Sequence, residues 1–273
     1  MDDILDKLFN FFDITVKHKH DLTTNERLLI WCDYVQRRIP IKKYDILLSD
    51  ELSLKIKSGF FSNQAEQINQ FMSQIEDGLD LNRLQSKSLL EHNTRLKVEN
   101  RTDGFFVMYG VHHLHVSSIP NQQSPYFSGR SDDLCFIKFI DNYALVLDIC
   151  KHKQMKSSAW SDVTFYTILK NNWPELTKPL NDIQPEQLST DEIHHLRTGC
   201  GAANATISMN GQSYLPYSLF SVTGHNVMSV RRSIMIKKSI EANEIQPTEM
   251  SNKLYDLLLP ADKFSDLRIV FST

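Results

Sequence analysis

The densest group of reactive side chains is His112-His113-Leu114-His115, followed by Arg130 beyond a polar stretch and by His152 after two apolar segments. Cleaving an RNA phosphodiester without a metal requires a base for the ribose 2′-OH, an acid for the departing 5′-oxygen and a cation to steady the pentacovalent phosphate. Imidazole can fill either of the first two roles, because its ordinary pKa near 6.5 leaves both protonation states available around neutrality. Guanidinium suits the third, since its fork matches phosphate oxygens and it stays charged. If Val111 to Val116 is a strand, alternation places His113 and His115 on one face and His112 on the other. The residues expected to do chemistry are therefore His113, His115, Arg130 and His152, with Lys151 and Lys153 flanking the last.

Two other readings fit the same residues. His113-x-His115 on a strand can chelate zinc, which would make the chain a metal-dependent hydrolase. No acidic pair nearby completes such a site, so the expectation is no metal and no cofactor. The second alternative is a non-catalytic module that binds protein or nucleic acid through the loop after the histidines. Arg130 pairs as readily with Asp132 or Asp133 as with phosphate. Tyr126 could stack on an unpaired base, and Arg231, Arg232, Lys237 and Lys238 form a basic run that is either a solvated face or an RNA-facing surface. His194 and His195 are helix neighbours pointing about 100° apart and are expected to be structural or exposed.

The elements that must position these groups can be read from periodicity. Residues 2 to 39 are expected to be helical, with Leu5, Leu8, Phe9 and Phe12 at helical spacing, a start signal at Thr24-Asn25-Glu26 and a stop at Pro40. Residues 50 to 98 continue mostly helical, with the stripe Ile68, Phe71, Met72 and Ile75 and breaks at Gly59 and Gly78. From about residue 103 the pattern turns to strands: Phe105 to Val116, then Leu134 to Phe139 and Tyr143 to Ile149 around an Asp141-Asn142 turn. Ser117 to Ser131 reads as a loop. Trp160 to Asn171 is expected to be helical, Pro179 to Pro185 a linker, and Thr190 to Arg197 a short helix. Asn210-Gly211 between Thr206–Met209 and Gln212–Leu215 predicts a two-residue hairpin. Val227 to Ile240 fits strand or helix, and Ser251 to Leu259 a short helix stopped by Pro260.

The segment from Gly110 to Gln154 reads Gly-Val-His-His-Leu-His-Val, a variable insertion, Gly-Arg-Ser-Asp-Asp-Leu-Cys-Phe-Ile-Lys-Phe, the Asp-Asn turn, then Ala-Leu-Val-Leu-Asp-Ile-Cys-Lys-His-Lys. It resembles the core of RelE- and HigB-like ribonuclease toxins, within the wider barnase, colicin and RelE group. On that resemblance Leu114-His115 stands at a Leu-Arg position, Arg130 opens the second strand, and Lys151, His152 and Lys153 form the terminal basic cluster. It implies a metal-independent endoribonuclease used as a toxin or antiphage effector, with an RNA substrate and a neutralising antitoxin of protein or RNA. The loop before Gly129 is longer than such toxins need, and the helical segment preceding the match has no counterpart in them.

The expected architecture is α+β: a helical lobe over 1–100, a central antiparallel RelE-like sheet with a following helix over 101–178, and an α+β portion over 179–273. The chain has 273 residues, 41% of them hydrophobic and 23% charged, the composition of a folded protein. Its net charge of -3 and pI near 6.4 argue against binding nucleic acid or anionic membrane by bulk electrostatics. The Met-Asp-Asp-Ile-Leu-Asp start has no signal-peptide pattern and no apolar run approaches the roughly 20 residues of a membrane helix, so a cytoplasmic protein is expected. Cys32, Cys135, Cys150 and Cys200 have no short pairing and are expected to be buried or bystanders.

Overall fold

A computed structural model describes residues 1–17, 22–93, 103–118, 126–127, 131–152, 161–181, 183, 185, 188–199, 206–221, 225–241 and 257–264. The helices are α1 (Asp2–Phe11), α2 (Thr24–Arg37), α3 (Asp50–Lys57), α4 (Ala65–Glu76), α5 (Gly104–Tyr109), α6 (Thr164–Asn172), α7 (Thr190–Gly199), α8 (Val227–Glu241) and α9 (Ala261–Phe264). The strands are β1 (Thr15–Lys17), β2 (Asp45–Leu48), β3 (Glu91–Asn93), β4 (His112–His115), β5 (Asp133–Ile140), β6 (Tyr143–Lys151), β7 (Lys178–Leu180), β8 (Ile207–Met209) and β9 (Gln212–Leu215). The class is α+β. Among the described residues no helix is long and apolar enough to cross a membrane.

Two compact units divide the chain: Met1–Ile41 with Lys87–Thr102 and Thr223–Thr273, and Lys42–Ser86 with Asp103–Val222. Both cut across the segments 1–100, 101–178 and 179–273 expected from sequence, because strand pairing joins residues far apart in the chain.

The first unit holds α1, α2, α8 and α9 and a short parallel pair, β1 with β3. Thr23 and Glu26 form a reciprocal capping box that starts α2 one residue earlier than the sequence signal suggests. Leu5, Leu8 and Phe9 of α1 are buried, as their spacing requires. Trp31 is fully buried, stacks on Phe264 at 6.0 Å and donates its indole N–H to the Leu258 carbonyl at 3.0 Å. Asp33 and Arg37, one helical turn apart, are also buried, 3.6 Å from each other; Arg37 donates to the Ser88 carbonyl and hydroxyl at 3.0 Å each. Residues 227–241, ambiguous in sequence, are helix α8. Of the expected 251–259 helix, 251–256 lie outside the described residues.

The second unit is built on a four-stranded sheet in the order β2-β6-β5-β4. β4, β5 and β6 are antiparallel, as expected, but β2 joins β6 in parallel, which makes the sheet mixed. Residues 45–48 carried no strand signal: they form a four-residue edge with a mostly exposed pattern. Asp141 takes a φ of 50° in the β5–β6 turn. A bulge lies between Phe136 and Ile137 in that pairing. The hairpin at Asn210-Gly211 forms with φ of 52° and 74°, the primed-turn signature, and β7, which overlaps the start of the expected linker, pairs with its second strand.

The expected strand from Phe105 to Val116 is corrected by the structure to a helix, a left-handed glycine and a strand. Asp103 caps the segment, accepting from the amides of Phe105 at 3.0 Å and Phe106 at 3.3 Å, so α5 starts where strand propensity alone would extend. Gly110, at φ 63°, ends it and turns the chain into β4. The core here is aromatic: Phe136 of β5 stacks on Phe165 of α6 at 4.2 Å, and Phe105 of α5 meets both edge-on at 5.1 and 5.5 Å. Side chains of this size contribute on the order of 2–3 kcal/mol each by leaving water.

Candidate functional site

The register of the sheet sets the site. His113 pairs with Phe136, and His115 with Leu134, which pairs in turn with Cys150 of β6. His152 follows β6 by one residue beyond its last, Lys151, so it falls on the same face as Cys150 and reaches over Leu134 towards His115. The two imidazole rings lie 6.4 Å apart, nearly parallel at 24°.

His115 is buried and its Nδ1 lies 2.9 Å from the Ser131 carbonyl oxygen. A carbonyl only accepts, so in the neutral ring Nδ1 carries the proton and Nε2 is left as the basic atom. His152 is exposed, and its backbone N–H donates to the Asp132 carbonyl at 2.6 Å, which ties the residue after β6 to the entry of β5. Ser131 is held in place by its own hydroxyl, which donates to the Asp133 carbonyl at 2.7 Å.

His113 sits two residues earlier on the same face. Its Nδ1 is 3.0 Å from Asp103 Oδ2, and its ring rests against Phe105 at 5.7 Å and Phe136 at 6.4 Å. His112 points the other way and is buried between Phe106 at 4.8 Å and Phe139 at 5.6 Å.

The remaining expected residues fare differently. Lys151 is drawn to Asp133, 2.8 Å to one carboxylate oxygen and 3.0 Å to the other, and the hydrogen bond raises its pKa above the ordinary lysine value. Tyr126 is engaged within its own unit. Its hydroxyl donates to Asp80 at 3.1 Å, its carbonyl accepts from Arg83 at 2.7 Å, and the Arg83 guanidinium lies 5.5 Å from its ring. Arg231 and Arg232 are on α8 in the first unit; Arg231 is exposed, whereas Arg232 donates to the Leu257 carbonyl at 2.9 Å. Arg130 and Lys153 lie outside the described residues. The structure thus brings His115 and His152 together and places His113 on their face. Among the described residues no group of three or more His, Cys, Asp or Glu side chains is placed to hold a metal ion.

Two residues that sequence reasoning passed over shape this region. Asp103 is buried and joins the α5 cap to His113; an Asp directly before Gly-Phe-Phe was a legible cap signal, but its second partner was not. Lys138 of β5 is also buried and donates to the carbonyls of Tyr109 at 2.9 Å and Gly110 at 3.4 Å, with its ammonium 4.3 Å from the Tyr217 ring. Burial pushes its pKa down to about 8. It holds the end of α5, and hence the start of the histidine strand.

Comparison with protein-family models, curated proteins and solved structures yields no match for this chain.

Proposed function

We propose that the chain is a metal-independent endoribonuclease that leaves a 2′,3′-cyclic phosphate and acts as a growth-arresting toxin or antiphage effector. The observation that carries this reading is the pairing of His115 with His152 at 6.4 Å. Rings whose centres stand this close on one face can act on neighbouring atoms of one substrate, as acid and base must. One ring is buried with its tautomer set by a carbonyl and the other is open to solvent, which suits groups with unequal tasks. In this reading the β4 imidazoles and His152 share the acid and base work, and Arg130 holds the phosphate. Lys151, balanced by Asp133, keeps the strand end in place. The resemblance to RelE- and HigB-like toxins supports the choice of RNA as substrate and implies a neutralising antitoxin.

The test is inducible expression of the native chain beside a His152→Ala variant, with growth and total RNA followed, together with purified protein on single-stranded RNA in excess chelator. The native chain should arrest growth and cut RNA. The variant should lose on the order of 10²–10⁴-fold in rate while staying folded. Intact RNA and normal growth with the native chain would remove the proposal.

A further inference from the structure

β2 closes one edge of the four-stranded sheet and, among the described strands, pairs with β6 alone. Asp45 donates its amide to the Asn142 carbonyl at 2.8 Å and Ser49 donates to the Val146 carbonyl at 3.0 Å, so the odd-numbered residues turn their main chain towards β6. Strand groups alternate, and the N–H and C=O of Ile46 and Leu48 therefore point off the sheet. Leu47 and Leu48 are 41% and 38% exposed. The strand contains neither proline nor lysine and its pairing has no bulge, so its shortness is the one usual guard it keeps against pairing with another strand.

The charges around β2 are ordered: Lys42 and Lys43 precede it, and Asp50 and Glu51 follow it. A second β2 laid alongside in the same direction would set lysine against lysine and carboxylate against carboxylate. Laid in the opposite direction, it sets Lys43 of one copy level with Glu51 of the other and removes both repulsions. When Leu47 of one copy meets Leu47 of the other, Ile46 of each lies opposite Leu48 of the other, and the outward groups of both form four main-chain hydrogen bonds.

We infer that β2 is a self-association edge, through which two copies of the chain pair antiparallel about a two-fold axis at Leu47 and join their sheets into one, four strands from each copy. A contact of four residues a side makes a weak dimer, with a Kd between about 1 µM and 1 mM. β2 runs beside Tyr143–Val146, whereas His152 follows the far end of β6 and His115 is on β4, so the inference stands whether or not the chain cuts RNA.

Sedimentation equilibrium of the full-length chain from about 1 µM to 1 mM tests it. The native chain should pass from monomer to dimer. Leu47→Lys, which sets two ammonium groups across the axis, should weaken the dimer at least about tenfold and, because Leu47 is exposed, melt within a few degrees of the native chain. Leu47→Cys should form a covalent dimer under air oxidation, since facing Cα atoms of such a pair stand about 4.5 Å apart, within disulfide reach. Leu54→Cys, on α3 and 65% exposed, should not. The amides of Ile46 and Leu48 should exchange with solvent at the lowest concentration and be protected at the highest. A native chain that stays monomeric, a dimer that Leu47→Lys leaves intact, or cross-linking by Leu54→Cys as fast as by Leu47→Cys overturns the inference. Protection of those amides in the monomer, which would mean that another part of the chain covers the edge, overturns it as well.

Discussion

His115 Nδ1 lies 2.9 Å from the Ser131 carbonyl oxygen, and this contact joins the histidine strand to the chain that enters β5. Asn and Gln at position 115 distinguish its two ring nitrogens, since an Asn amide can take the place of Nδ1 and a Gln amide that of Nε2. His115→Asn should keep the bond to Ser131 and lie within about 0.5 kcal/mol of native stability. His115→Gln should lose about 1 kcal/mol, the usual net worth of such a bond. Denaturant unfolding of both variants checks this, and equal stabilities would mean that the Ser131 contact holds nothing together.

Gly110 adopts a φ of 63° between α5 and β4, and a Cβ there would collide with Lys138 Nζ and come within 2.7 Å of the Tyr217 ring. Gly110→Ala should therefore cost about 2 kcal/mol or more, from left-handed strain and the collision together. A variant as stable as the native chain would show that the turn relaxes freely.

His92, in β3, has a pKa lowered to about 4, chiefly by burial, with Arg37 acting in the same direction and Asp33 against it. The unfolded chain, with an ordinary histidine, binds a proton between about pH 6.5 and 4 that the folded one refuses. Stability present above pH 6.5 is therefore lost as pH falls, by about 2 kcal/mol at pH 5. His92→Gln should flatten that slope between pH 7 and 5 in chemical denaturation. An unchanged slope would place the acid sensitivity elsewhere.

Lys138 gives the opposite end of the pH scale. With its folded pKa lowered to about 8 by burial, the unfolded chain holds more protons between about pH 8 and 10.5, so this residue makes stability rise with pH across that window. Lys138→Met should remove the rise. It should also cost about 1–3 kcal/mol at pH 7, because the Tyr109 and Gly110 carbonyls lose their donor. Comparing native and variant stability at pH 7.5 and 9.5 isolates the effect, and parallel pH dependences would contradict it.

Local chemistry in the sequence was enough to place several elements. The β5–β6 hairpin, the Asn210-Gly211 turn and α2 follow from strand alternation, a positive-φ dipeptide and a capping box, all interactions between residues close in the chain. The grouping of His113, His115 and His152 as candidates came from the same reading, since residue type and alternation name the face on which each imidazole falls. What tertiary structure alone decided is whom each imidazole meets. The 6.4 Å approach of His152 to His115 depends on the β4–β5–β6 register, and the meeting of His113 with Asp103 depends on a helix where β propensity pointed to a strand. The parallel pairing of residues 45–48 with β6, some hundred positions away, left no local trace because its strand is short and mostly exposed. Contacts of that kind are set by the total burial of the unit, and no window of neighbouring residues contains it.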